Sequence, residues 1–278
     1  MQSYTYDLIR NGFDIGVEHM HSSKAVRMFE CHCHPHYEIY IQLDGSRTYF
    51  IKDRVFIINP GDIVMISPYI MHRTSSNDEN GFERVLIDFG IQYLESLCEL
   101  CPDFDVEDIL KDGFCVLSSD VLSNSYLKEV SFRLISESKK HDKCSEAIVR
   151  LLLGQIIMLI DRLNQSKATV SAADTKSYKR ISDIILFIEK NYADKLTLEG
   201  ISREYFISYH YLSHAFKDIT GMSFTEYLNT VRVAKAREMI DKQLYPLNVI
   251  SEKVGFGSYK QFGRIFKEIT GVSPSQYK

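Results

Sequence analysis

Two stretches decide how this chain is read: Ser208-Tyr-His-Tyr-Leu-Ser-His-Ala-Phe-Lys-Asp-Ile-Thr-Gly221 and Ser258-Tyr-Lys-Gln-Phe-Gly-Arg-Ile-Phe-Lys-Glu-Ile-Thr-Gly271. Carried on to Tyr227 and Tyr277, they align at an offset of 50, with nine of twenty positions identical. The segments ahead of them align at an offset of 49, Ile201-Ser202 with Ile250-Ser251, so the second copy has one extra residue in its turn. A repeat of this length means one supersecondary unit used twice. Leu212, Ala215, Phe216 and Ile219 recur at helical spacing, and Phe262, Ile265, Phe266 and Ile269 match them. Gly221 and Gly271 follow where a helix end favours glycine. Each unit therefore reads as a short helix, a turn (Phe206-Ile207-Ser208 or Gly255-Phe256-Gly257) and a longer helix, which is helix-turn-helix architecture. Around the repeat, the spacing predicts helices at about 178–192, 198–205, 209–219, 224–242, 247–254 and 259–269.

The outer faces of the two longer helices carry His210, Ser213, His214 and Lys217 in one copy, and Lys260, Gly263, Arg264 and Lys267 with Tyr259 at the tip in the other. No acid lies on either face before Asp218 and Glu268. Such faces suit insertion into a groove lined by phosphates. The same hairpins with a merely solvated face, or used as a protein-interaction module, are the plainer alternatives. Charge supports the nucleic-acid reading. The chain of 278 residues has a net charge of −4, but residues 176–278 sum to +5 and residues 1–175 to −9. A split of this size between halves points to a nucleic-acid-facing part.

The C-terminal hundred residues closely resemble the AraC/XylS family of bacterial transcription regulators. The stretches that carry the resemblance are residues 208–221 and, as the family's signature region, Val254 to Tyr277; Arg232-Val-Ala-Lys-Ala-Arg-Glu-Met-Ile240 looks like the long helix joining the two units. The resemblance implies that the recognition helices enter two successive major grooves of double-stranded DNA, with His210, Ser213 and His214 facing bases in the first unit and Tyr259, Lys260 and Arg264 in the second. Ser202 and Ser251 stand where the family usually has Ala, and His214 where it usually has Arg. A neutral His lacks the bidentate contact that Arg makes to guanine.

The N-terminal part reads differently. Residues 1 to about 115 read as β: Tyr37–Leu43, Arg47–Ile51, Val55–Ile58, Ile63–Ile66 and Phe82–Phe89 are short apolar or alternating runs, broken by Asp44-Gly45 and Asn59-Pro60-Gly61-Asp62. Many short strands at regular spacing indicate a sandwich or small barrel. From about 121 the period turns helical, with Tyr126, Leu127, Val130, Leu134 and Ile135, then a second helix from about Cys144 to Leu163. The wide apolar arc of that second helix suits a dimer interface as well as a core. Residues 166–176 are small and polar and read as a linker. The expected organisation is α+β in two domains: residues 1–165, a cupin-like β-barrel with two C-terminal helices for effector sensing and homodimerisation through 121–164, then an all-α DNA-binding domain at 177–278.

His32-Cys-His34-Pro-His-Tyr-Glu38 followed by Gly45 resembles the core of the first cupin motif, and Pro60-Gly61-Asp62, Pro68 and His72 resemble the second; Val26 stands where the first motif's leading Gly belongs. On a continuous strand His32, His34, Glu38, Tyr40 and Gln42 would share a face. Three readings follow: His32, His34, Glu38 and His72 hold a divalent metal; the same face, with Tyr40, is a metal-free pocket for a small effector; or these residues are structural hydrogen bonders. The AraC resemblance favours the effector pocket, with no metal or other cofactor. The polar groups fit a sugar, or a small acid paired with Arg47 or Arg84. The rival from another class is a metal-dependent cupin enzyme with an accessory helical domain.

Composition agrees with a globular protein, 45% apolar and 25% charged. No apolar run reaches the ~18 residues that span a bilayer, and Met1–Asp7 has no leader-like character. The expected setting is cytoplasmic, with RNA polymerase a further partner and the six cysteines reduced. Cys98-Glu-Leu-Cys101 has zinc-knuckle spacing without a second pair.

Overall fold

The computed structural model describes residues 2–8, 15–24, 31–76, 81–118, 121–140, 142–166, 169–172 and 176–277. Nine strands and eleven helices are found among them, in the order β1 (Gln2–Leu8), β2 (Ile15–Ser22), β3 (Tyr37–Asp44), β4 (Arg47–Ile51), β5 (Arg54–Ile58), β6 (Asp62–Ile66), β7 (His72–Ser76), β8 (Phe82–Phe89), α1 (Ile91–Leu100), α2 (Val106–Ile109), β9 (Phe114–Ser118), α3 (Val121–Ser138), α4 (Ser145–Gln165), α5 (Lys176–Asn191), α6 (Leu198–Glu204), α7 (Tyr209–Thr220), α8 (Phe224–Asp241), α9 (Leu247–Lys253), α10 (Tyr259–Thr270) and α11 (Pro274–Tyr277).

The strands form two antiparallel sheets, one ordered β1-β2-β8-β3-β6-β9 and one ordered β5-β4-β7. β3 lies between β8 and β6 and is buried on both faces from Tyr37 to Leu43. One face, with Ile39, Ile41 and Leu43, packs on Leu127, Val130 and Leu134 of α3 and Leu152, Leu153, Ile156 and Ile160 of α4. The other face presents Glu38, Tyr40 and Gln42, and Tyr40 joins Tyr49, Ile51, Phe56, Ile58, Val64, Ile66, Phe114 and Val116 in the core between the sheets.

Two details differ from the sequence reading. Residues 91–109 hold helices α1 and α2 within the stretch expected to be β, because Tyr93, Leu94 and Leu97 recur at helical spacing and pack on the α3–α4 pair. Cys98 and Cys101 sit there, and neither belongs to a group of potential metal ligands among the described residues. The expected linker is partly tied down: Val170 N–H donates to Val116 O at 3.0 Å, and Thr169 bridges Leu117. Positions 167, 168 and 173–175 of that linker, like Val26, lie outside the described residues.

The helical repeat folds as its pattern predicts, within a residue or two at each end. Ser208 and Ser258 cap α7 and α10 by accepting from Tyr211 N and Gln261 N, both at 3.2 Å. Gly221 and Gly271 close the same helices in the left-handed region, at φ 79° and 81°. The two units have separate cores. Val233, Ala236, Ile250, Val254, Phe262 and Phe266 make that of the second. The core of the first unit, with Ile184, Ile188, Leu212, Phe216 and Tyr227, is continuous with Cys31, Phe50, Val55 and Met71 of the barrel.

Both turns pass through the left-handed region at one equivalent position, filled by different residues. Gly255 has φ 85°, and a Cβ there would lie 2.4 Å from Ala193 O. The same backbone position in the first unit is held by Phe206, at φ 53° and 95% exposed. Gly271→Ala meets nothing within 4 Å and suffers only the left-handed conformation, so it should cost about 1–2 kcal/mol. Gly255→Ala adds a backbone collision and should cost about 3 kcal/mol or more. Urea unfolding of the two variants, followed by helical circular dichroism, checks the order.

Candidate functional site

Four potential ligand residues converge at one mouth of the barrel. Glu38 comes from the inward face of β3 and His72 from the first position of β7. His32 and His34 arrive from the segment before β3. That segment is not a continuation of the strand: β3 starts at Tyr37, and His32 instead makes an isolated bridge with His72, with N–H to O distances of 3.0 Å in both directions. Strand parity was therefore the wrong reason for grouping the two histidines with Glu38. The grouping comes from the bridge and from Tyr69 N–H, which donates to His34 O at 2.8 Å. His34 Nε2 lies 3.1 Å and His72 Nε2 3.4 Å from Glu38 Oε2, and the His32 and His72 rings are 4.2 Å apart. Tyr49 OH donates to the other carboxylate oxygen, Oε1, at 2.6 Å.

The electrostatics of this cluster are set by burial. Glu38 is 3% exposed and His72 1%. Burial favours the neutral carboxyl, but His72 first and then His34 outweigh it and hold Glu38 well below the usual carboxylate range. Burial likewise works against a charged His72, and the Glu38 carboxylate reverses this, so its pKa is raised. Glu38 and His72 thus behave as a buried pair stabilised by mutual charge. His32 is pushed down to about 3, by burial and then by His72, and is a neutral imidazole at neutral pH.

Tyr40 is one ring further in. Its centroid is 5.1 Å from that of Tyr49, and its hydroxyl donates to Gln42 Oε1 at 2.6 Å. Arg47 donates to Thr74 Oγ1 at 3.1 Å with its guanidinium over the Phe82 ring, and Arg84 pairs with Glu18 at 2.8 Å. The interior thus holds several separate polar pairs, with the histidine and Glu38 cluster at one end.

At the other end of the chain, His210, His214 and Lys217 on α7 and Tyr259, Lys260, Arg264 and Lys267 on α10 are exposed, with Ser213 half-buried between them. Leu212, Phe216, Phe262, Ile265 and Phe266 are the buried sides of the same helices. Arg264 is engaged within its own helix, donating to Glu268 at 2.6 Å.

The description AraC-like ligand binding domain matches residues 15–157, and Helix-turn-helix domain matches residues 201–278. The chain belongs to the AraC family of transcriptional regulators. Its similar relatives include the HTH-type transcriptional activator RhaR of Pectobacterium atrosepticum, 25% identical over 259 residues, covering 90% of this chain and 86% of that protein. The RhaR of Shigella dysenteriae is 23% identical over 262 residues, with 90% and 87% covered. Among solved structures, an apo ToxT variant from Vibrio cholerae aligns over 96% of this chain and 97% of its own at 15% identity, with a TM-score of 0.45. The C-terminal domain of AraT from Geobacillus stearothermophilus aligns over 33% of this chain and 77% of its own at 35% identity, with a TM-score of 0.32. The AraC-family chain is thus a DNA-binding regulator with an effector-binding domain ahead of its helix-turn-helix units, and its named relatives are activators rather than enzymes.

What the sequence reading missed is the seam between the two parts. Cys31 N–H donates to Thr220 O at 3.1 Å, and Arg73 Nη2 donates to Asp218 O at 2.8 Å. Both acceptors are at the C-terminal end of α7, where a cation is also favoured by the helix dipole. Tyr69 reaches Asp241 and lies beneath the Arg237 guanidinium. Nothing local in the sequence marks these contacts. Tyr49 was also missed, although it lies on β4 with its side chain inward and could have been found by the alternation of that strand.

Replacing Tyr49 by Phe removes a hydrogen bond to a buried carboxylate without changing ring volume. It should cost about 1.5–3 kcal/mol, checked by chemical denaturation of the variant beside the parent chain.

Proposed function

We propose that this regulator reads DNA with the exposed faces of α7 and α10, as a homodimer, under control of a small molecule held at the barrel mouth. The observation that carries the DNA reading is the arrangement of His210, Ser213, His214 and Lys217, and of Tyr259, Lys260, Arg264 and Lys267, on the outer sides of two capped helices whose inner sides are packed. Asp218 and Glu268 occur only near the C-terminal ends. In this reading Arg264 leaves Glu268 to meet a base edge, and Lys217 and Lys267 contact phosphate.

The effector reading rests on His32, His34, Glu38 and His72, with Tyr40 behind them and the Arg47 and Arg84 guanidiniums deeper in the same interior. Hydroxyl-rich ligands, sugars among them, match this mixture of donors and acceptors. The division of labour is residues 1–165 for sensing and dimerisation, 166–176 as the connection, and 177–278 for DNA. The dimer reading is supported by an apolar groove of about 660 Å³ between α1 and α4, lined by Tyr93, Leu97, Leu100, Tyr126, Leu151 and Met158. Leu151 is 67% exposed at its edge. Among the described residues no helix is long and apolar enough to cross a membrane. A cytoplasmic setting with access to DNA and RNA polymerase follows from the regulator role, and relatives named as activators support contact with the polymerase.

Arg264→Ala should weaken the preferred site by about 1–3 kcal/mol and relax preference at one base pair, whereas Lys217→Ala should weaken all sequences alike and reduce the salt slope by about one. Anisotropy titrations on DNA selected from a random pool separate these patterns; equal losses on selected and random DNA for Arg264→Ala refute base reading. Leu151→Glu should shift the chain from dimer to monomer in sedimentation without loss of folded signal. In a thermal-shift screen of sugars and small acids, an effector at a hundred times its Kd should stabilise the chain by about 2.7 kcal/mol.

A further inference from the structure

We propose that Tyr69 is a positioning residue for DNA reading: it braces the far end of α8 against the barrel and so fixes where α10 lies relative to α7. This role presupposes the reading of α7 and α10 as entering successive major grooves, and it names the side chain that sets their spacing.

Ser67-Pro68-Tyr69-Ile70 forms the turn between β6 and β7, with Ile70 N–H donating to Ser67 O at 3.5 Å. Tyr69 stands third in it, at φ 66°. A turn with Pro second and a left-handed third residue favours Gly or Asn there, and a bulky side chain in that position is an outlier. Such outliers persist where the surroundings over-determine them, and they cluster at functional places. The Tyr69 side chain leaves the barrel and crosses to the helical domain. Its hydroxyl donates to the Asp241 carboxylate, and its ring centre lies 5.3 Å from the Arg237 guanidinium carbon. The Tyr277 ring lies 5.2 Å from the same guanidinium, and its hydroxyl accepts from Arg237 Nε at 3.2 Å and donates to Asp241 Oδ2 at 3.5 Å. The two tyrosine hydroxyls are 3.4 Å apart. One cation against two rings and one carboxylate taking two phenolic protons make a mutually satisfied set. Burial first, and then the bond to Asp241, push the Tyr69 phenol up, so it keeps the proton it donates.

What this contact fixes follows from α8. Its first half, with Tyr227, Leu228 and Val231, packs in the core that the first unit shares with the barrel. Its second half, with Val233, Ala236 and Ile240, packs in the core of the second unit. Arg237 and Asp241 lie in that second half. The first unit is held at the end of α7 by the strap of Cys31 and Arg73. The second unit encloses its own apolar core, so its contact with Tyr69 serves orientation rather than folding. With α7 strapped and α8 gripped near its end, the barrel sets the placement of α10. Two helices in successive major grooves must lie about 34–36 Å apart, one turn of 10–10.5 base pairs, so each extra base pair rotates the second groove by about 34°. Tyr69 N–H also donates to His34 O at 2.8 Å, which ties the brace to the backbone of the sensing cluster.

The full chain is titrated on its selected DNA, unaltered and with one or two base pairs inserted between the half-sites, which are located by the bases that His214→Ala and Arg264→Ala cease to discriminate. The parent chain should lose about tenfold or more in affinity on each insertion. Tyr69→Gly, whose residue suits the turn, should lose about threefold or less, because α8 then follows the displaced groove. Tyr69→Phe keeps the ring beside Arg237 without the bond to Asp241 and should fall between the two. Asp241→Asn keeps an acceptor oxygen and should stay near the parent. Circular dichroism shows which variants are folded. Without DNA, hydrogen exchange in 237–242 should speed about threefold or more in Tyr69→Gly while 209–220 stays unchanged. Equal losses for the parent and Tyr69→Gly at every spacing overturn the positioning role, as does a uniform gain or loss that leaves the spacing preference unaltered. Unchanged exchange in 237–242 overturns the brace itself. If the parent binds no selected DNA, the DNA reading falls, and the exchange measurement still decides the brace.

Discussion

A buried carboxylate on a strand with no exposed face is the constraint around which the rest of this molecule is arranged. Glu38 sits on β3, which is covered by α3 and α4 on one side and by the second sheet on the other. A charge in that position is tolerable only if fully partnered. Its partners are Tyr49 from β4, His72 from β7 and His34 from the segment before β3. Meeting the needs of one side chain therefore joins the segment before β3, β4 and β7 at one place. Two of those pieces continue directly into the contacts that hold α7.

The two helix-turn-helix units are alike in sequence but not in attachment. Both use a serine cap, an apolar inner side and a left-handed glycine stop. The first shares its core with the barrel, while the second encloses its own. A change at the barrel mouth reaches Thr220 through Cys31, next to His32, whereas the second unit meets the barrel through the Tyr69 side chain, whose hydroxyl lies 3.4 Å from that of Tyr277. Coupling of this kind requires only that a ligand interact differently with two arrangements of the strap.

Much of the proposed DNA-reading surface was legible in the sequence because its determinants are local. The offset of 50, the serines, the glycines and the apolar spacing of Leu212, Phe216, Phe262 and Phe266 each act within a few residues, and helices form on that scale. The outer positions follow from the inner ones by geometry. The helical stretch 91–109 was misread because its apolar spacing sits between strands and its burial depends on α4, more than fifty residues on. His32 and His34 were grouped with Glu38 for a strand that stops at Tyr37.

By itself the sequence determined the repeat, the faces of its helices, the β character of most of the first part, and the residue types available for a polar site. Those are properties of short spans, where periodicity and capping dominate. Only the tertiary structure decided that His72 meets Glu38, that Tyr49 completes the carboxylate's hydrogen bonds, and that Cys31 and Arg73 seize the end of α7. These contacts join residues 11 to 189 positions apart. Such pairings depend on sheet register and on the packing of one core against another, which no local pattern encodes.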